Sequence, residues 1–155
     1  QKIIYQLVLD AQEKAIRRCC VGNTLKDVHH EATKTICKGL IRLGLIKSSY
    51  KEAMKSQLYK KFYMHNTGHW MGLDVHDPSD YIENEKPIIL KEGMIFTVEP
   101  GIYIRPDKLI NKKYHHIGIR IEDDILITKS GPEILTADAP KQIKDIEEIM
   151  SHHNV

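Results

Sequence analysis

The chain has 155 residues, 41% of them hydrophobic and 28% charged, which suits one globular domain able to bury a core and leaves little room for a second. Its 23 Lys+Arg against 21 Asp+Glu give a net charge of +2, and that balance argues against an electrostatic nucleic-acid binder. No apolar run approaches a membrane span, no secretory leader opens the chain, and Cys19, Cys20 and Cys37 are too few for a disulfide framework, so a reducing, cytoplasmic setting is expected.

In chain order, residues 2–19 place Ile3, Ile4, Leu7, Val8, Ala11 and Ala15 on one helical face. The chain opens at Gln1 inside this pattern, which reads as a piece of something longer. A second helix is predicted from Thr24 as N-cap, with Asp27 in its first turn. Leu25, Val28, Ala32, Ile36, Leu40 and Leu43 form its apolar face, and Gly44 ends it. A third helix is predicted over 49–60. From Phe62 the texture changes to strands and turns. Residues 94–98 read as a strand closed by Glu99-Pro100-Gly101, 102–104 resume extended, and 117–128 form the longest apolar-rich stretch of the second half. Residues 133–135 add a short edge, and a last helix covers 141–150. Helices followed by a mostly antiparallel sheet predict an α+β fold over a single domain, 1–155.

Three segments carry chemistry. In MHNTGHWMGLDVHD (64–77), His65, His69 and His76 fall within twelve residues beside Trp70, the single tryptophan. Taken one at a time, such histidines are more often quiet loop residues. In EGMIFTVEPGIYI (92–104), Thr97 and Glu99 point to one side of a strand and Phe96 and Val98 to the other. Glu99 is then either an exposed acid at a strand end or a half-buried carboxylate that needs a partner or a metal. In GIRIEDDILIT (118–128), Arg120 and Glu122 share a face if the strand is regular, so the guanidinium can orient the carboxylate. A solvated charged face explains the same pattern, and Asp123 and Asp124 compete with Glu122 for any role. Imidazole and carboxylate together suit Mn²⁺, Co²⁺, Fe²⁺ or Zn²⁺ and give no hint of a thiolate site. The cysteines read as small hydrophobes on helices. His115 and His116 read as solvated loop residues, and His29, His30, His152 and His153 have no evident partners.

In this order the three segments resemble the C-terminal half of Xaa-Pro aminopeptidases (aminopeptidase P), members of the pita-bread metallopeptidases that include prolidase and methionine aminopeptidase. The Trp after His69 looks more like aminopeptidase P than prolidase. The resemblance implies helices packed on a curved, mainly antiparallel sheet, and a site with two divalent metals, manganese first among the candidates. His69, Glu99 and Glu122 match metal ligands, with Glu122 bridging. His65 and His76 match histidines that bind substrate and steady the oxyanion, Arg120 matches the arginine beside the bridging glutamate, and Glu99 is placed to shuttle a proton. Asp123 and Asp124 belong to the motif without ligating.

The implied reaction is hydrolysis of the bond between an N-terminal residue and a following proline. A dipeptidase and a non-catalytic pita-bread module are the alternatives. Two aspartate ligands of the family have no counterpart here: Asp10 and Asp27 sit in helical patterns. Two carboxylates balance one divalent ion and fall short of two. The expected partners are therefore a peptide substrate, the missing N-terminal half and a second copy of the protein, with no nucleic acid and no membrane.

Overall fold

The computed structural model describes residues 1–152. Helices α1 (Lys2–Ile16), α2 (Leu25–Arg42) and α3 (Tyr50–Lys55) come first. Strands β1 (Ile82–Glu83), β2 (Lys86–Pro87), β3 (Ile95–Val98), β4 (Gly101–Ile104), β5 (Ile117–Arg120), β6 (Asp123–Thr128) and β7 (Gly131–Ile134) follow, and α4 (Ile143–His152) closes the described chain. His153 lies outside the described residues.

The helices form where the local signals put them. Ile4, Leu7, Val8, Ala11 and Ala15 make the buried stripe of α1. Ile3 does not belong to it: the residue sits on the flank of the stripe and is 60% exposed. At the start of α2, the Thr24 hydroxyl accepts from the Asp27 amide at 3.2 Å and the Asp27 carboxylate accepts from the Thr24 amide at 2.9 Å. This reciprocal capping box satisfies two amides that the helix itself leaves unpaired. At the other end, Gly44 takes φ +71°. The Gly44 and Leu45 amides donate back to Ile41 and Leu40 at 2.9 Å each, a Schellman closure that needs a left-handed residue.

The expected helix over 49–60 is broken. It stops at Lys55, Gln57 adopts φ +52°, and the chain restarts as a 3-10 turn over Leu58–Lys61. The break leaves Leu58 exposed while Tyr59 and Phe62 are buried. Cys37 alone of the cysteines is helical; Cys19 is buried in the turn after α1, and Cys20 beside it is partly exposed. The β1–β2 hairpin was not predicted. Its turn residues Asn84 and Glu85 both have positive φ, as a two-residue hairpin turn requires. Its strand residues are exposed throughout, so no apolar alternation announces them. The short edge falls at Gly131–Ile134 and the last helix at Ile143–His152, each offset by about two residues from expectation.

The stretch 117–128 is two strands. β5 pairs β4 and β6 pairs β3, both antiparallel. The two ladders share one register, Val98 opposite Asp123 and Gly101 opposite Arg120. Carrying the pairing through the break sets Pro100 opposite Ile121 and Glu99 opposite Glu122. Pro100 has no amide to give the ladder, and the pairing survives there as a 3.4 Å contact from the Ile121 amide to the Pro100 carbonyl.

On its other edge β3 is paired by residues 67–71, an extended segment whose bridge from Trp70 to Phe96 lies outside the named strands. The Glu99, Thr97 and Met71 amides donate to Thr67, His69 and Ile95 at 2.6, 3.0 and 3.1 Å. A Cβ on Gly68 would lie 1.8 Å from the Thr97 carbonyl oxygen, so this pairing requires glycine. α1 and α2 cover one face of the sheet, burying Phe96, Val98, Ile125 and Ile127 against Ala15, Val28 and Ala32. Ile102, Ile104, Ile117 and Ile121 meet Ile4, Leu7 and Leu40. Glu99 and Glu122 are left on the opposite face.

Candidate metal centre

Strand alternation puts Thr97, Glu99, Gly101 and Tyr103 on that opposite face of β3–β4, and Arg120 and Glu122 on the same face across the ladder. His69 joins them because its own segment pairs with Thr97. One ligand atom from each of His69, Glu99 and Glu122 lies within 4.8 Å of the others. The expected convergence of these three residues is thus present, although 30 and 23 residues separate them.

Each donor is oriented. His69 Nδ1 lies 3.0 Å from the Trp70 carbonyl oxygen, which can only accept. That contact puts a ring hydrogen on Nδ1 and turns Nε2 toward Glu99 Oε1, 3.4 Å away. The Thr97 hydroxyl donates to Glu99 Oε1 at 3.0 Å and accepts from the His69 amide at 3.1 Å, so one side chain aligns both donors. Arg120 Nε stands 3.6 Å from Glu99 Oε2 and 4.0 Å from Glu122 Oε2. The expected contact of Arg120 with these acids is therefore direct.

Burial, and then the neighbouring Glu99 charge, raise the Glu122 carboxyl above the usual carboxylate range, while Arg120 works in the opposite direction. Like charges opposite each other in a ladder repel, and one half-exposed guanidinium offsets only part of that. An imidazole nitrogen and two carboxylates, held this close, fit a divalent cation of the Mn²⁺ to Zn²⁺ type.

His76 is exposed, with its ring 4.2 Å from that of His69 between centroids. His65 is held differently. Its Nε2 meets the Tyr103 hydroxyl at 3.1 Å, and its ring meets the edge of Tyr63. Tyr103 was not singled out from the sequence, although its spacing from Glu99 already placed it on the site face. Its hydroxyl folds back over Gly101, where a Cβ would come within 2.7 Å of it.

His29, which showed no partner in the sequence, proves to be tied in. Its Nδ1 meets Thr67 Oγ1 at 2.8 Å and its Nε2 meets Thr33 Oγ1 at 3.3 Å, while Tyr63 also reaches Thr67. This polar chain braces the 67–71 segment from α2. His115 bonds the carbonyls of Asp107 and Ile110 within its own loop. His115 is therefore half-buried and tied to its loop rather than solvated, while His116 is exposed.

A helix-backed antiparallel ladder bearing an imidazole and two opposed glutamates is the frame of a metallopeptidase, and residues 1–129 match the model of metallopeptidase family M24. The chain belongs to that family. It is 46% identical over 151 residues to the Xaa-Pro aminopeptidase of Haemophilus influenzae, covering 97% of this chain and 35% of that protein. It is 37% identical over 153 residues to the mitochondrial intermediate cleaving peptidase 55 of Arabidopsis thaliana, covering 99% of this chain and 29% of that one.

Among solved structures, Pseudomonas aeruginosa aminopeptidase PepP superposes with a TM-score of 0.95 at 43% identity, over 97% of this chain and 34% of that one. A zinc-substituted Escherichia coli aminopeptidase P in complex with product gives 0.94 at 40%, over all of this chain and 35% of that one. The chain thus spans about a third of the length of the relatives it matches. The likeness to aminopeptidase P also settles the fold expected from sequence, an α+β pita-bread half.

Proposed function

We propose that this chain is the C-terminal part of the catalytic domain of a metal-dependent Xaa-Pro aminopeptidase, which removes an N-terminal residue that precedes proline. The observation that carries the reading is the convergence of His69, Glu99 and Glu122 on one face of the ladder. High identity to Xaa-Pro aminopeptidases over nearly the whole chain supports it. His69 Nε2 and the two glutamates would hold divalent metal. The ion would polarise the scissile carbonyl and ionise a water near neutral pH.

The remaining chemistry belongs to the chain itself. Trp70 and Thr97 aim the ligands, so little reorganisation is left for the reaction. Arg120, within 4.0 Å of both glutamates, offsets part of the repulsion between them. Glu99 is the group that passes a proton to the leaving proline nitrogen. His76, beside His69, and His65, steadied by Tyr103, are the donors for the substrate carbonyl and its developing oxyanion.

Two carboxylates neutralise one divalent ion, so a two-metal site draws its other acids from the part of the domain that this chain does not span. Manganese is the proposed metal, and action in the cytoplasm as a homo-oligomer completes the proposal. The test is to strip the full-length protein of metal and assay a tripeptide with proline in second position before and after adding Mn²⁺. Turnover restored by the metal, and lost in Glu122→Gln, is expected. Equal cleavage of the peptide with alanine in place of proline would remove the proline assignment, and activity indifferent to chelation would remove the metal assignment.

A further inference from the structure

The face behind the carboxylate pair contains a second, fully satisfied acid. Asp123 follows Glu122 directly, so its side chain points through the ladder to the helix side, where it is 1% exposed. Its Oδ2 accepts from Gln12 Nε2 at 3.0 Å, and its Oδ1 accepts from Thr136 Oγ1 at 2.6 Å and from Lys141 Nζ at 2.8 Å. Gln12 is equally buried, and its Nε2 also lies 3.4 Å from the Val98 carbonyl.

Val98 and Asp123 form the last rung of the β3–β6 ladder before Glu99 and Glu122. On the far side of that pair the ladder is weak, because Pro100 donates nothing and the Ile121 contact is long at 3.4 Å. Glu99 is also held from the other edge by the Thr67 carbonyl at 2.6 Å, so the rung at 98 and 123 is what sets Glu122 against it. Gln12 bridges both strands of that rung. Thr136 holds it from the third strand side, its hydroxyl also accepting from the Asp124 amide at 3.1 Å. Lys141 neutralises the buried charge, and the Tyr5 hydroxyl in turn holds the Lys141 carbonyl at 2.8 Å. Tyr5 and Gln12 are seven residues apart, on one face of α1. Thr136 and Lys141 both lie beyond residue 129, where the family match ends.

We propose that Asp123, Gln12, Thr136 and Lys141 act as positioning residues that hold Glu99 and Glu122 at metal-binding separation, so that the segment after β7 is a working part of the metal centre. The inference rests on the metal reading given above. It assigns no contact with metal or substrate to these four residues, which act through the backbone rung beside the ligands. Residues that orient metal ligands in this way commonly control affinity by about 10- to 100-fold.

The test uses the full-length protein and measures Mn²⁺ affinity by calorimetry and by chelator competition, with unfolding recorded separately. Lys141→Met and the milder Gln12→Met are each expected to weaken Mn²⁺ binding by about tenfold or more while the proteins remain folded at the assay temperature. Lys141→Arg, which keeps the charge, is expected to recover most of the loss. If the folded Met variants bind Mn²⁺ as tightly as the parent, whatever their melting temperatures, the network is a stability element alone and the inference is overturned. A parent protein that binds no divalent ion would overturn the metal reading itself and this inference with it. The parent titration therefore separates the two failures.

Discussion

Glu122 and Asp123 are neighbours in sequence and opposites in circumstance. Asp123 faces the helices, is wholly buried, and has a lysine, a glutamine and a threonine around its two oxygens. Glu122 faces away from the helices, partly exposed, opposite another glutamate and with only a shared, distant arginine. One strand thus carries an acid whose charge is answered from within the fold and, beside it, an acid whose charge is not. The difference separates a carboxylate that holds the structure together from one that the structure holds ready for a cation.

The largest effect that would break this comparison comes from the satisfied acid. Asp123→Ala leaves Lys141, Gln12 and Thr136 without their common acceptor, and removing one member of a buried pair costs about 3–5 kcal/mol. Urea denaturation of the full-length protein should show a loss of that size, and a loss below about 1 kcal/mol would mean that the network is not what holds the rung. Next comes the effect of metal. At a free Mn²⁺ concentration 100 times its dissociation constant, one bound ion should add about 2.7 kcal/mol to stability. The gain should vanish in His69→Ala, and a thermal shift of the same size in that variant would place the ion elsewhere.

Smaller, and of opposite sign to the first, is the response of the unsatisfied acid. In metal-free protein Glu122→Gln relieves repulsion with Glu99 and should be neutral or stabilising by about 0.2–1 kcal/mol. A marked destabilisation by this variant would erase the contrast between the two faces.

The smallest signal is a slope. Burial, and then the charges of His65, Lys60 and His30, hold the His29 imidazole below its ordinary range. The unfolded chain therefore binds the extra proton first. His29 weakens the fold as pH drops below about 6.5, the unfolded value, and the slope flattens once pH passes below the folded value. Replacing His29 by Gln should flatten the stability profile between about pH 6.5 and the acid side. An unchanged profile would show that His29 is free to titrate in the folded state.

Much of this was legible in the sequence, for reasons that can be named. The caps of α2 are local codes, Thr24 with Asp27 and a glycine at 44, and they formed as read. The shared face of Thr97 and Glu99 follows from strand alternation, and the convergence of His69, Glu99 and Glu122 followed from motifs whose meaning came from resemblance. What escaped was long-range. Nothing local shows that His29 will meet Thr67, 38 residues on, or that Gln12 will reach Asp123, 111 residues on. The pairing of residues 67–71 was also hidden, because histidines and glycines carry no strand signal and the partner that sets it is the neighbouring β3. The break at 121–122 was hidden because Ile117, Ile119, Ile121 and Ile125 give one apolar rhythm across two strands.

The single register shared by the two ladders has a consequence for how the molecule can vary. Between β4 and β5 the exposed residues Lys108 and Leu109 and Asn111 to Lys113 carry no ladder bond, so changes in length there leave Glu99 facing Glu122. A single residue gained or lost between 95 and 104, or between 117 and 126, would turn part of the strand over and carry one glutamate to the helix side. The molecule therefore has a tolerant tip and an intolerant stem. Natural variants and laboratory libraries of this protein should collect their insertions at the tip.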